Sequence, residues 1–258
     1  MRVNSQDEKE TEGKRRGCVA EVQYTFKRVE KKFVLTRKQY ETVLPIVEEK
    51  MDRDAYGQYT ISNLYYDTPI YDLVRRSIEK PVYKEKFRIR SYGVPGPEDK
   101  VFAEIKKKYQ GIVYKRRIAD TYEEVEAFIR GRKELAADSQ IQREIQWFLH
   151  MYKPEAKVFI GYDRTAFAGR AGEDIRVTFD ENIRYRETDL DLRAGTHGSP
   201  VLTEDLIIME IKVPKAIPLW FVKVLSEYQI YSHSFSKYGT CYQKYLLQNS
   251  FQKGKIVV

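Results

Sequence analysis

At 258 residues, with 42% hydrophobic and 13% aromatic composition, the chain can bury a substantial core, and one globular domain is the simplest count. Its 46 Lys and Arg against 38 Asp and Glu leave a formal charge of +8, which favours anionic partners: nucleic acid, anionic membrane or phosphorylated small molecules. No apolar run reaches the roughly 18–20 residues of a bilayer span, and the start of the sequence is too polar for a secretory signal peptide. Two cysteines, Cys18 and Cys241, offer neither a disulfide framework nor metal-ligand spacing, so free thiols in a cytoplasmic protein are expected, with a single disulfide as the alternative.

In chain order, residues 1–18 are charged and aperiodic and predict a disordered tail, with one domain over 19–258. "VQYTFKRVEKKFVL" reads as a strand entering a helix, with Thr36 as its cap. "QYTISNLYYDT" predicts an aromatic strand, and Thr68-Pro69 a cap and first-turn proline before the short helix "IYDLVRRSIEK". Extended segments follow at 82–92, 100–109 and 112–119, the last two joined by a hairpin at Gln110-Gly111. "TYEEVEAFIRG" carries a Thr121/Glu124 capping box and a terminal glycine, and "DSQIQREIQWFLHMY" is a second helix of this region. Strands return at 156–163, 174–180 and 205–213, and helices close the chain around "PLWFVKVLSEY" and from Tyr238 to about Gln248. Closing so many strands in hairpin order into an antiparallel barrel removes exposed edges.

The strand "KEKFRIRSY" places Lys84, Lys86, Arg88 and Arg90 on one face and Phe87 and Ile89 on the other. The pattern recurs. Glu104, Lys106 and Lys108 share a face, as do Val113, Lys115 and Arg117; Arg176, Thr178 and Asp180; and Ile208, Glu210 and Lys212. Arg164 follows a strand, and Ser236-Lys237 precede the last helix. Either these faces meet water around an apolar sandwich, or they converge on a shared lumen. The dominance of Arg and Lys over Thr, Ser and Gln favours the lumen, because guanidinium groups suit bidentate phosphate contact. A lumen of buried cations must hold a dense anion, since each unpaired charge costs several kcal/mol to desolvate. A phosphate chain meets that need. Interspersed glutamates then make sense as holders of a divalent metal that bridges phosphate oxygens.

The ordered set "RVEKKFVL", "YYDT", "KFRIRSY", "AEIKKK", "VYKRR", "YDR", "RVTFD", "MEIK" and "FSKYG", over about residues 22–247, resembles the triphosphate tunnel metalloenzyme (CYTH) superfamily. More closely it resembles the catalytic domain of the vacuolar transporter chaperone (VTC) family, which makes inorganic polyphosphate from ATP. The resemblance implies an α+β fold: an eight-stranded antiparallel tunnel-type β-barrel with a polar, basic lumen and helices packed outside. Phe87 and Ile89 would pack against those helices. It further implies phosphate binding by Lys32, Arg88, Arg90, Lys106, Lys115, Arg164, Arg176, Ser236 and Lys237, with Arg88, Arg90, Lys106, Lys115, Arg164, Arg176 and Lys237 as the catalytic set. Glu210 is the implied ligand for Mn2+ or Mg2+, followed by Glu30 and Glu104 as ligands or as residues that position the lysines. Ser234 stands where eukaryotic members have another lysine, and the sensor domain and membrane segments of those relatives are missing from this sequence.

The expected activity is transfer of the ATP γ-phosphate to a growing polyphosphate chain. The alternative is a tunnel triphosphatase that uses water as nucleophile on tripolyphosphate or nucleoside triphosphates. The polymerase transfer has little need of a general base, and none of His150, His197 and His233 sits in a motif. There is no GxxxxGK(S/T) loop. With no RRM, KH or helix-turn-helix signature, ATP and polyphosphate rather than nucleic acid are the expected partners; non-catalytic polyphosphate or nucleic-acid binding is a third possibility.

Overall fold

The computed structural model describes residues 29–110, 112–133, 139–170, 172–202 and 205–248. The expected tail, Cys18 and Gly111 lie outside the described residues. Nine strands form a single antiparallel sheet: β1 (Val29–Thr36), β2 (Met51–Asp67), β3 (Tyr83–Tyr92), β4 (Lys100–Tyr109), β5 (Ile112–Thr121), β6 (Glu155–Gly169), β7 (Arg176–Arg186), β8 (Ser199–Pro200) and β9 (Leu206–Val213). The spatial order is β1-β9-β7-β6-β2-β3-β4-β5, with the short β8 on β7.

The helices start where capping chemistry allows. Thr36 and Gln39 form a reciprocal capping box ahead of α1 (Arg37–Lys50). Thr121 accepts from the Glu124 amide ahead of α3 (Tyr122–Ile129), and Ser139 from Gln142 ahead of α4 (Gln140–Tyr152). α2 (Asp72–Ile78) departs from expectation. Thr68 Oγ1 accepts from the Asp72 amide, but the principal cap is the Asp67 carboxylate, which accepts from the amides of Thr68, Leu73 and Val74 at 2.8–3.0 Å. α5 (Leu219–Glu227) follows Pro218, and the last helix is α6 (Lys237–Cys241) running into a π-helical turn, Tyr242–Leu246.

The outer face of the sheet carries two apolar layers. Phe33, Leu35, Val177, Phe179, Met209 and Ile211 pack under α1 and α5, against Val43, Val47, Phe221 and Val224. Phe87, Ile89, Ala103 and Ile105 pack under α3 and α4, with Phe87 5.4 Å from the Phe148 ring. Burying each such side chain contributes about 1.5–3 kcal/mol, so these layers fix which face of every strand turns inward.

The sheet curls until its ends approach: Lys106 on β4 lies 3.8 Å from Glu30 on β1. The expected closed barrel differs here in one respect. No backbone ladder joins β5 to β1 among the described residues. The free edge of β1 is met instead by the chain before α6, through a Phe33–Ser232 bridge and a bond from the His233 amide to the Lys32 carbonyl. The β5 edge carries Lys115, Arg116 and Arg117, and charge on an edge opposes further pairing. Strands also run longer than their apolar cores suggest. β2 begins at Met51 and β6 continues to Gly169, because these extensions pair with each other and β6 also pairs with β7, and this puts Arg164 within a strand rather than after one.

Candidate active site

On β3 the inward face carries Lys84, Lys86, Arg88 and Arg90, while Glu85, Phe87, Ile89 and Ser91 are buried behind it. Register extends this face round the curl: Arg88 is opposite Glu104, Lys86 opposite Lys106, and Lys106 opposite Lys115. On the other wall Lys32 is opposite Glu210, Thr178 opposite Glu210, and Arg164 opposite Asp180.

Two buried carboxylates organise the arginines. Arg88 forks onto one oxygen of Glu104 through Nε and Nη2 (2.9 and 2.7 Å) and donates from Nη1 to the Tyr65 hydroxyl at 2.9 Å. Lys115 reaches the other Glu104 oxygen at 2.5 Å, and Arg90 stands at 4.0 Å. Burial pushes the Glu104 carboxyl up, but Arg88, Arg90 and Lys115 outweigh it and hold the group well below the usual carboxylate range. Arg90 is aimed by bonds to Asn63 (2.9 Å) and to the Tyr162 hydroxyl (3.1 Å). Across the lumen Asp180, fully buried, takes a bidentate pair from Arg164 (2.6 and 2.8 Å) and a third contact from Lys237. Tyr162 lies beneath both cations, 5.2 Å from Arg164 and 4.3 Å from Lys237. Burial opposes ionisation of its phenol, yet Arg90, Arg164 and Lys237 bring it down to about 8.

The lysines are less committed. Lys86 bonds only a neutral partner, the Ser236 hydroxyl, at 2.8 Å. Burial first, then Lys84, Lys106, Lys32 and Arg88, push its pKa down to about 7. Burial also brings Lys115 to about 8 against the pull of Glu104, and lowers Lys106. Lys106 and Lys115, on the same inward face, leave 47% and 45% of their side-chain surface exposed. Arg176 is set apart: it sits at the mouth, 56% exposed, 3.2 Å from Asp54.

Glu30 and Glu210 occupy neighbouring strands in a diagonal relation, a spacing of roughly 7–8 Å between backbones. Each has one close lysine, Lys32 at 3.0 Å and Lys212 at 2.6 Å, and their charges act on each other. Among the described residues no three metal-ligating side chains converge. Two carboxylates nonetheless fit a hard divalent cation that completes its sphere with substrate phosphates and water. Glu104, occupied by three cations, fits a positioning role instead.

The basic side chains of the lumen outnumber its carboxylates Glu30, Glu104, Asp180 and Glu210, so the arrangement is complementary to a dense anion. The sequence grouped Lys86 and Asp180 with the charged strand faces without giving either a role, and did not single out Tyr65, Asn63 or Tyr162. Period-two alternation places Lys86 and Asp180 on the correct face, whereas the roles of the other three depend on register between distant strands.

The opposite end of the lumen is closed. Val34, Val158, Ile160 and Ile208 point inward there and pack with Tyr238, Cys241, Tyr242 and Leu246 of α6 and the π turn. Tyr238 stacks on Tyr65 at 4.8 Å and donates to Asp67 at 2.8 Å. The Cys241 thiol is free and buried.

Residues 27–246 match the family model for the VTC domain. No curated protein matches the chain by sequence. A candidate adenylate cyclase from Bacillus halodurans is 10% identical with a TM-score of 0.50, over 81% of this chain and 93% of that one. A candidate adenylyl cyclase from Hippeastrum, described as having a dominant triphosphatase activity, is 14% identical with a TM-score of 0.46, over 89% and 97%. At such identity the first is a likeness of fold.

Proposed function

Because the chain belongs to the VTC-domain family, we propose that it is a polyphosphate polymerase, transferring the γ-phosphate of ATP to the end of a polyphosphate chain and releasing ADP. The observation that carries this reading is the lumen itself, where cations pinned by Glu104 and Asp180 surround further lysines, among them Lys86, which bonds only the neutral Ser236 hydroxyl among the described residues. Arg88, Arg90, Lys115, Arg164 and Lys237 bind and align the phosphates; Lys32, Lys86 and Lys106 neutralise them; Ser236 holds Lys86 in place. Glu210, with Glu30 beside it, would hold Mn2+ or Mg2+, which would supply positive charge to the phosphates. A terminal oxygen of the chain attacks the γ-phosphorus in line, the bond from that phosphorus to the β–γ bridging oxygen breaks, and the electron pair leaves with ADP. Catalysis is then positioning and charge neutralisation, and no histidine is required.

One observation favours the triphosphatase reading: apolar packing by α6 blocks one end of the lumen to a growing chain. Incubation with ATP and Mn2+ or Mg2+, with and without a short polyphosphate primer, decides between them. The expected result is chains longer than the primer, with ADP formed in step with phosphate transferred. Orthophosphate alone under every condition overturns the polymerase reading.

A further inference from the structure

Where β3 begins and the β4–β5 hairpin turns, the outward face of the sheet runs past the helices that bury Phe87 and Ile105. Tyr83, Tyr109 and Ile112 are cross-strand neighbours on that face, Tyr83 opposite Tyr109 and Tyr109 opposite Ile112. Val82 joins them through its carbonyl, which accepts from the Gln110 amide at 3.0 Å. α4 brings up two more. Lys107 of β4 holds Glu144 at 3.0 Å, and Trp147 and Met151 lie three and seven residues on, along the same stripe of the helix. The Trp147 ring is 6.5 Å from that of Tyr152, whose hydroxyl shares the Glu85 carboxylate with the Tyr83 hydroxyl. Val82 is 65%, Met151 62% and Trp147 55% exposed. Single exposed apolar side chains are ordinary, but a contiguous patch marks a surface that is covered in use.

The charge around the patch says what covers it. Lys80 and Lys108 are exposed and close enough to act on Lys84 between them, and Lys153 follows Met151 at the end of α4. Segments 79–86, 105–116 and 143–153 carry three carboxylates. Glu85 is buried beneath two phenols, Glu144 is taken by Lys107 with Arg116 at 3.7 Å, and Glu79 stands beside Lys80. We propose that this tip is a peripheral membrane-binding surface, with Trp147, Met151, Tyr109 and Ile112 set into the interface of an anionic bilayer and Lys80, Lys108 and Lys153 on its headgroups. Tryptophan and tyrosine favour that depth, and lysine reaches from it to lipid phosphates and carboxylates. A soluble anion would satisfy the lysines but leave Trp147 and Met151 in water. A second copy of this chain would cover the apolar side chains but set the same lysines against one another. The patch lies outside the lumen, so the inference stands apart from the reading of the lumen as a phosphate site.

Sedimentation of the full chain with phosphatidylcholine vesicles, with and without phosphatidylserine, tests this. Binding should need phosphatidylserine and weaken as salt is raised. Trp147→Ser combined with Met151→Ser should weaken it roughly 10-fold or more, with Tm unchanged because both side chains are exposed. Lys108→Glu should weaken it as well. Leu219→Ser, on α5 and 70% exposed, should leave it within about 2-fold of the parent. Absence of binding, or equal binding to neutral vesicles, overturns the proposal. Binding that survives the Trp147 and Met151 changes also overturns it, because the lumen cations or the overall charge would then carry the contact. So does a dimer that those changes dissociate in a protein that ignores vesicles, since the patch would then join two copies.

Discussion

The two ends of the lumen are built from the same strands and have opposite chemistry. Along β1 the inward residues run Glu30, Lys32, Val34; along β6, Val158, Ile160, Tyr162, Arg164; along β9, Ile208, Glu210, Lys212. Each strand changes from apolar to charged at one level of the curl. Below that level α6 and the π turn fill the space with Tyr238, Tyr242 and Leu246, and burial there stabilises the fold without any ligand. Above it the like charges of Lys32, Lys86 and Lys106 oppose one another. The difference teaches where stability and binding part company: the closed end holds the sheet in its curl, and that rigidity keeps the repelling cations in place for an anion.

The largest expected effects set two carboxylates on opposite sides of this division of labour. Asp180→Leu leaves Arg164 and Lys237 buried without their counter-charge, and should cost roughly 3–5 kcal/mol of stability, read as a fall in Tm of about 10 °C. Glu210→Gln should behave in the opposite way: turnover down about 100-fold or more, with Tm within a few degrees of the parent. Thermal melts and an ADP-release assay on both proteins check the pair. If Glu210→Gln turns over at the parent rate, the carboxylate is not part of the chemistry.

How much of this was legible in advance depends on range. Alternation along "KEKFRIRSY" put Arg88 and Arg90 on one face and Phe87 and Ile89 on the other, because strand periodicity is local, while the helices over the apolar face came only from the family resemblance. The partners of those arginines were not legible. Arg90 finds Asn63, 27 residues away, and Tyr162, 72 away, and these meetings depend on register across β2, β3 and β6. Asp67 shows the same limit. In "YYDT" the threonine looks like the helix cap, but the preceding aspartate takes three backbone amides and ties Tyr238, 171 residues further on, to α2. The closed end was hidden for another reason: nothing in the pattern of the last helix says that its apolar face enters the sheet rather than covering it.

The charged half also predicts a pH response opposite in sign to that of the closed end, where burial raises the Cys241 thiol and the Tyr238 and Tyr242 phenols. Folding lowers Lys86 from an ordinary 10.5 to about 7, mainly through burial, and Lys115 to about 8. Tyr162, favoured as phenolate by its three cations, titrates near 8 rather than 10. In all three the unfolded chain holds more protons between about pH 7 and pH 10, so their contribution to ligand-free stability should rise across that window, opposed above about pH 9 by the buried Cys241 thiol. Phosphate binding favours the charged lysines, so tripolyphosphate affinity should fall over the same range, with proton uptake visible by calorimetry in buffers of different ionisation enthalpy. Lys86→Met should flatten the lower part of both curves. A parent profile without slope from pH 7 to 10 would place these side chains in bulk solvent.

The smallest expected effect lies in the closed end and runs in the favourable direction. Among the described residues the Tyr242 hydroxyl, buried in the apolar cluster, has no hydrogen-bond partner, while its ring packs against Tyr71 at 5.3 Å. An unsatisfied buried hydroxyl costs about 1–3 kcal/mol, and phenylalanine keeps the ring and removes the debt. Tyr242→Phe should therefore raise stability by about 1 kcal/mol, a Tm increase of roughly 2–4 °C for a chain of this size. The ATP-dependent rate should not change, because the substitution leaves the ring packing that seats α6 and, through it, Ser236 and Lys237. A rise in Tm with altered turnover would mean that movement of α6, and not only its presence, is part of the working cycle.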